Sequence, residues 1–197
     1  MKTFRLGLTG SIGMGKSTTA GFFSVAGIPV WDADAAVARL YGPGAQGTLG
    51  IAAQWPEAVT PSGVDRPTLK RILVADPSAF SRLEGLIHPL VAADRARFLQ
   101  ETTSHLAVFD IPLLFETGAD AQMDATLLVT APEALQRARV LARPGMTEAI
   151  FSAILARQMP DREKRARATH IIETLSLDAA RAGVLALIAY LSEGSHA

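Results

Sequence analysis

Gly10-Ser11-Ile12-Gly13-Met14-Gly15-Lys16-Ser17 stands directly after the apolar run 4–9 and fits the phosphate-binding template Gly-x4-Gly-Lys-Ser. Each residue type has a separate task there. Glycines let successive backbone N–H groups turn inward on an anion, the lysine reaches the outer phosphates, and the serine hydroxyl takes a place on Mg²⁺. The alternative is an ordinary glycine-rich turn, and at background composition a match to this template would arise by chance in a chain this long about one time in a hundred. The strand before it and a helical pattern over 16–25 lower that further. The stretch is therefore read as a P-loop that grips a nucleoside triphosphate.

Working outward, short apolar runs at 4–9, 28–31, 106–111, 126–130 and 170–172 alternate with longer helical patterns. This order predicts an α/β fold in three layers, a five-stranded parallel sheet with crossover helices. Such sheets bind ligands at the carboxyl ends of their strands, so residues just after Thr9, Trp31, Ile111 and Thr130 gain interest from position alone. Between Tyr41 and Ser104 no strand is expected, and Gly42-Pro43-Gly44, Pro61-Ser62-Gly63 and Asp76-Pro77-Ser78 punctuate a helical insertion. Pro67, Pro77 and Pro132 stand where helices can begin. A last helix is expected over 176–191, with 194–197 as a loose end.

The 197 residues, 49% of them hydrophobic, suit one domain with an ample core. A formal net charge of zero gives no bulk field toward nucleic acid or an anionic membrane. Lys2 and Arg5 precede a strand and glycines rather than the apolar stretch of a signal peptide, and no run reaches the length of a membrane-spanning helix. Zero cysteines exclude disulfides and thiol catalysis, and the four histidines lack metal-site spacing. A soluble cytoplasmic protein, monomer favoured, is the expectation.

Three further groups could do chemistry. Asp32-Ala33-Asp34 follows the second strand; Asp32 can cap the next helix, while Asp34 could orient an acceptor hydroxyl and take its proton in phosphoryl transfer. Eight of the 19 Lys and Arg residues fall in 137–167: Arg137, Arg139, Arg143, Arg157, Arg162, Lys164, Arg165 and Arg167. Many must form a solvated face, but Arg143 precedes Pro144-Gly145 between two helical patterns, as in a mobile helical lid. From there a guanidinium could neutralise charge on a transferred phosphoryl. Arg139 and Arg157 are weaker candidates. Asp110, at the end of the third strand, could hold Mg²⁺ through water or cap the strand. His88 reads as a packed, hydrogen-bonded side chain before a catalyst, and Trp31, Phe22, Phe23 and Trp55 as core.

Taken in order, Leu8-Thr9-Gly10-Ser11-Ile12-Gly13-Met14-Gly15-Lys16-Ser17-Thr18, Asp32-Ala33-Asp34, His88-Pro89 and Asp110-Ile111-Pro112-Leu113-Leu114-Phe115-Glu116 resemble the bacterial dephospho-coenzyme A kinases. The resemblance runs from Leu6 to about Thr174. It implies a single P-loop kinase domain over 1–197 with a helical acceptor-binding subregion at 42–104 and a helical lid at 137–167, similar to the nucleoside monophosphate kinases. It further implies transfer of the ATP γ-phosphoryl group to the ribose 3′-hydroxyl of dephospho-coenzyme A, with Mg²⁺. Gly10, Ser11, Ile12, Gly13, Met14, Gly15, Lys16, Ser17 and Thr18 would bind ATP, with Ser17 on the metal. Asp34, Lys16 and Arg143 would be catalytic, and Thr9, Asp32, Asp34, His88 and Glu116 would contact the acceptor. Gln158 matches a glutamine that follows the family's lid. The segment Ala168-Thr169-His170-Ile171-Ile172-Glu173-Thr174 departs from the family's Ala-Asp and Asn, so adenine contacts are unassigned, and Trp55-Pro56 replaces the Phe-Gly of the acceptor-binding insertion, so the details of that pocket are unassigned too. A kinase for another small acceptor, or a regulatory P-loop ATPase, is the alternative. A GTPase is excluded because its Asn-Lys-x-Asp element needs an asparagine, and the chain has none.

Overall fold

A computed structural model describes residues 3–193; Lys2 and the tail 194–197 lie outside the described residues. The chain divides into two compact units, one built from 1–31 with 102–197 and the other from 32–101.

The first unit is built on a sheet of β1 (Phe4–Thr9), β2 (Val30–Asp32), β5 (Leu106–Asp110), β6 (Ala125–Thr130) and β7 (His170–Glu173), in the order β2-β5-β1-β6-β7. β1 runs parallel to both β5 and β6, and β6 parallel to β7. Every residue of β5 and β6 is buried, as strands are when both sheet faces are covered. That burial explains why they read as unbroken apolar runs rather than as alternating ones. Leu6, Leu8, Val108, Leu127 and Val129 join Phe23 of α1 (Lys16–Val25) and Val184 and Leu187 of α9 (Leu177–Glu193) in one core. The expected strands are present with small shifts. β2 begins at Val30 rather than 28, because Pro29 has no N–H to give a ladder, and its carbonyl instead accepts from Val108 N at 2.9 Å. α9 starts at Leu177, since Ser176 is its cap: Ser176 Oγ accepts from Ala179 N at 3.1 Å. The remaining helices of this unit are α6 (Glu133–Leu141), α7 (Glu148–Leu155) and α8 (Asp161–Arg167).

The second unit holds α2 (Ala33–Leu40), α3 (Gln46–Gln54), α4 (Arg66–Ala75) and α5 (Pro77–Glu101). Its separate core gathers Ile51, Trp55, Leu69, Leu83 and Ile87. Pro67 lies in the first turn of α4 and Pro77 opens α5, both places where a missing N–H costs no helical bond. The expectation of no strand in this stretch is corrected: β3 (Val59–Thr60) and β4 (Gly63–Val64) pair antiparallel. Two-residue strands carry too little alternation to be read from sequence. Trp31 is buried with its ring centroid 6.1 Å from that of Phe109, and Phe23 and Trp55 are buried as well. These aromatics are core, as expected. Among the described residues no helix is long and apolar enough to cross a membrane.

Candidate active site

The loop after β1 owes its shape to two glycines in the left-handed region, Gly13 at φ 80° and Gly15 at φ 87°. Room is as restrictive as conformation here. A Cβ on Gly13 would lie 2.5 Å from Val140 Cγ2, and one on Gly15 would lie 3.1 Å from Thr174 Oγ1. Helix α6 and the segment after β7 thus close on the loop from two sides. Met14 N donates back to Ser11 O at 3.1 Å, and the buried Met14 side chain fixes the turn from below. Gly15 caps α1 and offers no side-chain acceptor. The first N–H groups of α1, from Lys16 to Thr18, are therefore left for an anion at the positive end of the helix dipole.

Lys16 Nζ lies 2.5 Å from Asp110 Oδ1. Asp110 is buried at the carboxyl end of β5, beside the β1 end that leads into the loop. This carboxylate is held against the P-loop lysine. The pair fixes the Lys16 ammonium at the carboxyl end of β5.

A cavity of about 450 Å³ opens beside the loop, lined by Gly13, Gly15, Thr18, Arg139, Arg143, Thr174 and the start of α9. Its wall is tied together at Thr174. Arg139 donates to Thr174 Oγ1 at 3.0 Å and to its carbonyl at 2.6 Å, while Thr174 Oγ1 donates to Met14 O at 2.8 Å. Arg139 is thus a wall-building residue, a stronger position than its sequence ranking gave it.

The eight basic residues of 137–167 separate into two groups. Arg137 pairs with Glu148, Lys164 with Glu116, Arg165 with Asp161 and Glu173, and Arg167 with Asp120. Three of these acids lie outside the basic window, which is why the local charge count overstated the free positive charge. Arg139, Arg143, Arg157 and Arg162 have no acidic partner among the described residues; Arg139 is bound to Thr174 and the other three are exposed. Of those three only Arg143 lines the cavity.

The acceptor candidates lie in different surroundings. Thr9 is fully buried and its hydroxyl donates to Pro112 O at 3.1 Å. Glu116 Oε1 accepts from Met159 N at 2.8 Å and lies 2.9 Å from the ammonium of Lys164, a residue with no exposed surface. Lys164 Nζ and Glu116 Oε2 are buried, and neither meets hydrogen-bond geometry with a partner among the described residues. Burial alone would raise the Glu116 pKa. The contact with Lys164 and the N–H groups of Met159 and Glu116 itself outweigh it, and the pKa is lowered from its ordinary value. In the second unit, Asp32 Oδ1 accepts from Ala35 N at 2.9 Å, so Asp32 caps α2. Asp34 is exposed in the first turn of α2. His88 is exposed on α5, which corrects the expectation of a packed, hydrogen-bonded histidine: its neighbour Ile87 takes the core position instead.

Two glutamines at the loop carried no role in the sequence reading. Gln158 Oε1 accepts from Ile12 N at 3.1 Å, and Gln136 Nε2 donates to Ile12 O at 2.7 Å. Their distance along the chain hid them, and only the match of Gln158 to a family glutamine gave any signal. Thr174 was missed for the same reason.

A family model described as dephospho-CoA kinase matches residues 4–178. The dephospho-CoA kinase of Cereibacter sphaeroides is 63% identical over 197 residues, covering 100% of both chains, and that of Ruegeria pomeroyi is 53% identical over 193 residues, covering 98% of each. Among solved structures, a Thermus thermophilus protein superposes with TM-score 0.85 at 35% identity, covering 98% of both chains. A dephospho-CoA kinase from Campylobacter jejuni gives TM-score 0.70 at 24% identity over 97% of this chain and 98% of its own, a likeness of fold. Motif order, sheet topology and full-length similarity agree, and the chain belongs to the dephospho-CoA kinase family.

Proposed function

We propose that the protein transfers the γ-phosphoryl group of ATP to the ribose 3′-hydroxyl of dephospho-coenzyme A, giving coenzyme A and ADP, the last step of coenzyme A biosynthesis. The observation that carries the donor half is the P-loop cavity, which Gly13, Gly15, Thr18 and Arg143 line together, with Lys16 held in the same loop by Asp110. The acceptor follows from family membership.

Phosphoryl transfer leaves little covalent work to the protein, so positioning and charge dominate. Gly10 to Thr18 would cradle the phosphates of ATP, and Lys16 would leave Asp110 for the outer oxygens. Arg143, on the 137–167 subregion proposed as a lid, would neutralise charge developing on the transferred group and help exclude water. Among the described residues no group of three or more His, Cys, Asp and Glu side chains could hold a metal alone. That suits a Mg²⁺ that comes with ATP and keeps several waters, the Ser17 hydroxyl and Asp110 being the hard oxygen donors that would hold it. Asp34 would accept the proton of the 3′-hydroxyl; it is exposed and has no ion-pair partner among the described residues, which supports a carboxylate available to a substrate. The 42–104 subregion, with Asp32 supporting α2 and His88 exposed on α5, would bind the acceptor. Thr9 and Glu116 would contact the acceptor as well. We further propose a cytoplasmic monomer.

An assay of ADP release coupled to a redox readout tests the assignment. Turnover should require dephospho-coenzyme A. Equal turnover with AMP, shikimate or gluconate would favour a kinase for another small acceptor, and ATP hydrolysis that ignores every acceptor would favour a regulatory ATPase.

A further inference from the structure

We infer that Gln136 and Gln158 are positioning residues that set the P-loop for phosphate by gripping the two sides of one residue, Ile12. The inference rests on the reading of this loop as the ATP phosphate cradle.

A trans peptide holds its C=O and the next N–H pointing in opposite directions, and the described chain has no cis peptide. Gln136 Nε2 binds the Ile12 carbonyl at 2.7 Å. This turns the Gly13 N–H, which shares that peptide, to the side away from Gln136. Gln158 Oε1 binds the Ile12 N–H at 3.1 Å. This turns the Ser11 carbonyl to the opposite side, where it accepts Met14 N at 3.1 Å. Two successive peptide planes of the loop are therefore fixed by side chains. The Gly13 N–H is left with no hydrogen-bond partner among the described residues and with Gly13 lining the cavity. Donors aimed in advance at an anion cost no reorganisation when it binds.

The placement of the two glutamines adds a second consequence. Gln136 is buried on α6, immediately before the run of basic residues that starts at Arg137, and Gln158 follows Arg157 directly. Both ends of the 137–157 segment are thus tied to the same loop residue. The far end is braced once more, because Met159 N donates to Glu116 Oε1 at 2.8 Å. Arg143 lies between two anchors that both bind Ile12 of the loop.

The test compares ATP and adenosine binding by calorimetric competition in wild type, Gln136→Met, Gln158→Met and the double variant, with thermal melting recorded for each. Methionine keeps the length and removes donor and acceptor. Each single change should weaken ATP about ten-fold, the scale set by one buried hydrogen bond, and leave adenosine within about two-fold. Because both side chains act on Ile12, the double variant should lose clearly less than the product of the two single losses. A merely structural role would lower the melting temperature and leave the ratio of ATP to adenosine affinity where it was; that result, or multiplicative losses, overturns the inference. Should Gln136→Met fail to fold, the half-buried Gln158 decides alone. Wild-type protein that does not bind ATP would instead overturn the cradle reading.

Discussion

Replacing Glu116 by Gln removes one charge from a buried pair and little else, since the amide oxygen can still accept Met159 N. The partner left behind is Lys164, an ammonium with no exposed surface, 2.9 Å from Glu116 Oε1. At that distance and an effective dielectric of about 20, the attraction lost is roughly 6 kcal/mol. Desolvation already offsets part of it in the wild type, and breaking a buried pair typically costs about 3–5 kcal/mol. Glu116 itself has a 17% exposed side chain, so water can relieve some of the strain, which places the expected loss near 3 kcal/mol. Urea unfolding of wild type and Glu116→Gln at neutral pH gives this difference directly. A double variant with Lys164→Met should recover most of it, because an apolar side chain no longer needs a counter-charge. The pH dependence carries an independent sign. The folded-state pKa of Glu116 lies below its ordinary value of 4.5, so its contribution is complete above that value and is lost as pH falls through the folded pKa. The gap between wild type and Glu116→Gln should therefore close on acidification below about pH 4.5 and stay constant above it. A Glu116→Gln loss under about 1 kcal/mol, or no recovery in the double variant, would refute the account of the pair.

Asp34→Asn should leave ATP affinity near wild type and lower kcat by about 10²–10⁴-fold if the carboxylate takes the hydroxyl proton; steady-state kinetics with both substrates varied reads this. Arg143→Ala should lower turnover by at least about ten-fold through lost charge on the transferred group, whereas Arg137→Ala, which breaks an exposed pair with Glu148, should stay within about two-fold. Equal effects of the two would deny Arg143 its special place. Asp110→Asn should slow turnover and raise the Mg²⁺ concentration needed for half-maximal rate, measured by titrating the metal at saturating ATP.

The parts of the fold legible in the sequence were those encoded locally. β1, the glycine loop and α1 form one continuous stretch whose glycines, lysine and apolar residues each answer to a short-range rule, and their bounds match the structure. The capping option for Asp32 was likewise visible, because a cap and its N–H lie within one turn. Legibility fell where a residue's role depends on a partner far along the chain. The count of eight basic residues could not show that Glu116, Asp120 and Glu173 take up Lys164, Arg167 and part of Arg165. Nor could it show that Thr174 joins Arg139 to the P-loop. Gln136 and Gln158 lie 124 and 146 positions from Ile12, and a neutral amide leaves no pattern in composition. The β3–β4 hairpin escaped for the opposite reason, being too short to show any period at all.

The position of β1 between β5 and β6 has a bearing on how the protein is born. The strand and its phosphate loop precede both strands that flank them, β5 from Leu106 and β6 from Ala125, and the wall at Thr174 comes later still. Pairing at such separation carries a high loop-closure cost and folds slowly. A chain made only as far as β6 therefore holds the whole glycine motif without the far wall of its cavity, and nucleotide cannot chaperone folding until synthesis has passed Thr174.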